Sequence, residues 1–260
     1  MRTRTKMLAA FLAAAALVMA QKPKSKGEVE ALQGIQKELQ TAADPGTPAA
    51  ERAQHYDAAI KKVDDFVKKY ADTEFKEWAL TRAAEAAEAN NDGAKLIIYS
   101  ELAIEANPKA YSPMLIEAAE LARSTRENDL DKDDKLSKAE KLAHQAMEII
   151  PTAVKPNPQI PDEQWEGIKK DYLGDAHRDL GMIASVRKKY DLAISEYKEA
   201  NTIAAHPDPA VSVRLAGAYT DNKQPDEALA VLAKITNPAL KPFVDKETKR
   251  AQDLKAALKK

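Results

Sequence analysis

Residues 173–235 read LGDAHRDLGMIASVRKKYDLAISEYKEANTIAAHPDPAVSVRLAGAYTDNKQPDEALAVLAKI, and this stretch holds one pattern twice. Leu180, Gly181, Ala184, Ala193, Tyr197 and Ala200 in the first copy correspond to Leu215, Ala216, Tyr219, Ala228, Leu232 and Ile235 in the second, always thirty-five residues on. Small residues recur where two antiparallel helices must approach closely, and large ones fill the gaps between them. A period of this length marks a helix-turn-helix unit that buries its apolar face only by stacking on its neighbours.

The spacing resembles the tetratricopeptide repeat (TPR) pattern of Leu-Gly, Tyr, Ala, Phe and Pro. The resemblance extends over about 72–235 and is strongest in the last two units. Tyr70-Ala71-Asp72-Thr73-Glu74-Phe75 is also similar to a phrase of secreted bacterial TPR proteins, which are usually lipid-anchored. The resemblance implies an all-α fold, a right-handed α-solenoid of TPR-like hairpins with about 10–11 helices. It also implies a scaffold that binds a peptide or protein partner in a concave groove. The resemblance does not identify that partner. By analogy to the fold, the groove positions are Thr81 and Glu85, Ile116 and Glu120, Arg178 and Met182, and Arg214. Chaperone-binding TPR domains clamp a terminal carboxylate with a Lys and Asn cluster, and this chain has none at matching places.

Composition supports helices throughout. Of 260 residues 31% are charged and only 8 are Gly, and no stretch alternates as a strand would. With 40 basic and 41 acidic residues there is no bulk field to attract nucleic acid.

Residues 1–20 are a different material. Arg2, Arg4 and Lys6 precede an apolar run from Met7 to Ala20, the pattern of a secretory signal peptide cleaved near Ala20. The run is too short for a stable membrane span. Its removal would leave 37 basic against 41 acidic residues. The chain has no Cys, so the residue a bacterial lipid anchor needs is missing, and so are disulfides and thiolate chemistry. A periplasmic or secreted protein is the expectation.

In order, residues 21–26 read as a polar linker and 27–71 as a helical hairpin, a degenerate repeat or cap, with Thr47-Pro48 opening its second helix. Residues 72–236 form the array. Ala103 to Pro108 and Ala146 to Pro151 are similar closing phrases forty-three residues apart, which requires an insertion at 124–136. A second insertion, 152–161, is dense in proline and reads as an extended strap. Asp162 then opens a long helix that overhangs its partner and carries Trp165. Residues 237–260 are a capping helix with Phe243, Leu254 and Leu258 inward and lysines outward.

The sharpest local motif is 129–140, DLDKDDKLSKAE, which places oxygens at the alternate positions of a calcium-binding loop, with Asp134 where that loop has Gly. A calcium-dependent binding module using this loop is the alternative function. The competing reading is an acidic insertion whose Asp133 or Asp134 caps the next helix. His55, His144, His177 and His206 stand apart in sequence, with no metal-ligand spacing. No nucleophile motif and no phosphate-cradling loop is present, so neither an enzyme nor a cofactor is called for.

Overall fold

The computed structural model describes residues 23–259; the segment 1–20 and its expected cleavage lie outside the described residues. Eleven α-helices and two short 3₁₀ turns make up the described chain, with no strand among them. The chain divides into two compact units: residues up to Glu120 with Val154–Pro161, and Leu121–Ala153 with the residues from Asp162 onward.

The first unit contains α1 (Lys26–Ala43), α2 (Ala49–Lys69), α3 (Lys76–Ala89), α4 (Gly93–Ala106) and most of α5 (Tyr111–Ser124). α1 packs on α2, α2 on α3 and α3 on α4. Leu32, Ile35 and Leu39 of α1 meet Ile60, Val63 and Phe66 of α2 at helical spacing, and Phe75, Leu80, Leu96 and Ala103 continue the same core. Ser25 caps α1 by accepting from the Glu28 amide at 3.1 Å. The buried Glu28 carboxylate in turn accepts from the Thr73 hydroxyl, which fixes the start of α1 against the corner before α3. At that corner Phe75 is inserted into the core and the helix begins at Lys76. Thr47 does not cap α2; its hydroxyl donates to the Thr41 carbonyl at 2.7 Å, and Pro48 precedes the first turn.

The second unit contains α6 (Lys132–Ile149), α7 (Asp162–Val186), α8 (Tyr190–Ile203), α9 (Pro209–Asp221), α10 (Pro225–Leu232) and α11 (Lys241–Ala257). Each packs on the next, and α9 also touches α11. The thirty-five-residue repeat is explicit here. Gly181 lies under the Tyr197 ring, where an added Cβ would come within 2.6 Å of two ring carbons. One repeat later Ala216 and Leu232 occupy the same places, the extra carbon on one helix matched by the smaller side chain on the other. Burial pushes the Tyr197 hydroxyl above the usual tyrosine range.

Three hairpins turn through one residue with positive φ, Asn91 at 56°, Lys188 at 60° and Lys223 at 59°. In each the following amide closes the helix, as Asp92 to the Ala87 carbonyl, Lys189 to Ala184 and Gln224 to Tyr219. The long α7 carries Trp165 in its first turn, whose indole N–H donates to the Ala153 carbonyl at 3.2 Å, while Lys169 reaches the Pro151 carbonyl at 3.1 Å.

Within the segment 124–136 residues 125–131 are irregular and the rest is helical, α6 beginning at Lys132. One expectation changes. In α11 the inward residue is Ala251, flanked by half-buried Leu254, while Phe243 and Leu258 are exposed. Alanine at the contact lets the helix sit close, and Arg250 to Asp221 and Lys255 to Asp226 fix its rotation.

Candidate functional site

In the first unit the expected groove positions are inside. Thr81, Glu85, Ile116 and Glu120 are all buried. For Thr81 and Glu85 the reason is α3, where Ala79, Leu80, Ala83, Ala84, Ala86 and Ala87 are buried around nearly the whole circumference, which leaves no open face. Thr81 donates to Glu77 at 2.9 Å, and Glu85 accepts from Arg82 at 2.8 Å, with the Arg82 guanidinium over the Trp78 ring. Glu120 lies against Gly93, the first residue of α4, where the positive end of the helix favours an anion.

The second unit treats its three positions differently. Met182 is buried. Arg178 is mostly covered; its guanidinium donates to Asp179 at 2.8 and 2.7 Å and also to Asp175. Asp179 is itself completely buried, so this arginine neutralises an interior carboxylate. Arg214, by contrast, is exposed and forms no ion pair or hydrogen bond through its side chain among the described residues.

Helical periodicity explains the difference. At about 3.6 residues per turn, Ala210, Arg214, Gly217 and Asp221 fall on one side of α9, away from the buried Val211, Leu215, Ala218 and Tyr219. Those four are exposed or half-exposed. Ala210 and Gly217 are small, so the surface beside Arg214 is shallow; a Cβ at Gly217 would meet only the Glu247 and Arg250 side chains at 3.9 to 4.0 Å. Arg250 is committed to Asp221 and to Glu247. The Asp221 to Arg250 pair sets a register of twenty-nine residues between α9 and α11, in which Phe243 is the position that corresponds to Arg214. Phe243 is 60% exposed. α9 thus presents a guanidinium without an ion pair or hydrogen bond among the described residues above small side chains, and the packed α11 presents an open aromatic ring. The sequence pattern assigns Phe243 to the interior; the signal that could have placed it outside is Ala251, the smaller residue that marks the contact.

The acidic segment does not form an ion-binding loop. From Lys132 on it is helix, so successive oxygens point around the axis and do not converge. Asp129 accepts from the Arg126 amide, Asp131 from Lys135, and Glu140 from Arg187. No group of three or more His, Cys, Asp or Glu side chains among the described residues is placed to hold a metal ion. Asp133 and Asp134 sit in the first turn of α6, where carboxylates favour the helix start. Three histidines are clips between neighbouring segments: His55 to Glu38, His177 to Glu196 and His206 to Asp171. Asp171 also accepts from the His206 amide at 2.7 Å, which secures the loop before α9.

No helix among the described residues is long and apolar enough to cross a membrane. No curated protein matches the chain. The Tetratricopeptide repeat family model matches residues 187–258, that is, α8 to α11. Among solved structures, a thermophilic TPR protein of Thermus thermophilus is similar with a TM-score of 0.53 and 17% identity, over 88% of this chain and 98% of that one. Residues 187–258 therefore carry tetratricopeptide repeats, and the described chain shares the all-helical fold of a TPR protein.

Proposed function

We propose that this chain is an exported, non-enzymatic scaffold that holds a peptide or protein partner on the open face of α9 and α11. The observation that carries the reading is Arg214, an exposed guanidinium without an acidic partner among the described residues, between the small Ala210 and Gly217 on α9, with the exposed Phe243 at the corresponding position of the packed α11. Arginine and aromatic side chains are among the residue types that dominate binding energy at protein interfaces. Arg214 would pair with a carboxylate of the partner, and Phe243 would pack on an apolar side chain next to it. The pairing of Arg250 with Asp221 and Glu247 ties α11 to α9 before any partner arrives.

Export rests on the basic start and apolar run of residues 1–20, and the cell envelope is the compartment that fits it. The non-enzymatic reading rests on the sequence, which offers no nucleophile with a base and no cofactor motif. A quantitative pulldown from the envelope fraction tests the site. Arg214→Glu and Phe243→Asp should each remove the same captured proteins, and Lys234→Glu, an exposed substitution elsewhere on the unit, should not. Capture unchanged by both face substitutions overturns the assignment of the site.

A further inference from the structure

A second open surface lies in the same unit, where α6, α7 and α8 meet. Leu180, Ile183 and Ala184 of α7 and Leu192 of α8 line a crevice of about 490 Å³ counting its mouth. Leu192 is 45% exposed at the mouth of the crevice. Its rim is charged but mostly committed: Glu140 is paired with Arg187 and Glu196 with His177. Lys189 and His144 stand on the same rim, both exposed, and neither side chain has an ion pair or hydrogen bond among the described residues. An apolar floor with an uncommitted cation at its edge suits an apolar side chain flanked by carboxylates.

This chain presents such a segment. In Asn128-Asp129-Leu130-Asp131 the leucine is fully exposed, and Asp133 and Asp134 just beyond it are exposed carboxylates without an ion pair among the described residues. The segment is tied to the crevice rim through Glu127 to Lys188 and Ser137 to Arg187, yet Leu130 is not seated in its own crevice. Donor and acceptor therefore lie next to each other on one surface. That is the arrangement a two-fold contact requires, because each copy must offer both halves of the same patch.

We propose that a second copy of this chain docks here, Leu130 of each copy entering the crevice of the other with Asp133 and Asp134 beside Lys189. One leucine and a charged rim make a small contact, so the dimer belongs to the weak, reversible class. Sedimentation velocity of the full chain at rising concentration reads it directly. The parent should pass from monomer to dimer, and Leu130→Asp should raise the dissociation constant by about tenfold or more. Lys189→Glu should also raise it, by removing the cation at the rim. Leu130 is outside the core, so the melting temperature and helical circular dichroism of the variant should match the parent. A monomer at every concentration overturns the proposal, and so does a dimer that survives either substitution.

Discussion

Gly181→Ala isolates the packing rule on which the repeat is built. A Cβ at this position would lie 2.6 Å from Cδ1 and Cε1 of Tyr197 and 3.0 Å from its Cζ. The ring is 2% exposed, so it has nowhere to move. Overpacking of this kind costs about 1–3 kcal/mol, and three short contacts to a rigid ring put the case near the upper end. Alanine in a helix interior recovers about 1 kcal/mol of propensity. The expected net loss is about 2 kcal/mol, roughly 4–8 °C in melting temperature for a body of this size. Tyr197→Leu alone should also destabilise, because it leaves a void. Together the two substitutions reproduce the Ala216 and Leu232 combination found one repeat later, where both residues are buried. The double variant should therefore exceed the sum of the singles by about 2 kcal/mol in a denaturant cycle. A Gly181→Ala protein as stable as the parent, or a coupling near zero, refutes the reasoning.

Lys223 holds φ 59° with an exposed side chain, so Lys223→Gly should raise the melting temperature by the equivalent of up to about 1 kcal/mol. Hydrogen bonds from Lys62 and then His55 hold the Glu38 carboxyl below its usual range. Its contribution is therefore present above the ordinary glutamate value and lost as pH falls through the lowered one; Glu38→Gln should flatten the acid limb of a stability profile. Tyr99 runs the other way: burial and then its hydrogen bond to Asp64 push the hydroxyl up. That stability is complete below the ordinary tyrosine value of about 10 and declines as pH rises above it, so Tyr99→Phe should lessen alkaline unfolding, read by circular dichroism against pH.

Much of the fold was legible because large and small residues trade places at a fixed interval. Gly181 with Tyr197 and Ala216 with Leu232 carry that information without any structure. The prolines after Ala103 and Ala146 likewise announced helix ends that are observed. The groove positions were less legible, and α3 shows why. Alanine is compatible with either face of a helix, so a run of alanines hides which side is open. In α11 the large residues misled, since Ala251 sets the contact and Phe243 does not. The 129–140 segment satisfied two patterns at once, an ion loop and an acidic helix start. The stripe of Leu136, Ala139, Leu142, Ala143 and Ala146, all buried, decides for the helix. Lysines at the positive-φ positions 188 and 223 gave no turn signal, because glycine or asparagine would be expected there.

The most direct test of the proposed role is photo-crosslinking in the living cell from single positions in the second unit. A crosslinking side chain at Phe243 should trap a discrete partner, and Arg214→Glu in the same chain should abolish the product. The same group at Glu227, exposed on α10, should trap none. Equal products from Phe243 and Glu227, or a Phe243 product indifferent to Arg214, would contradict recognition by this face.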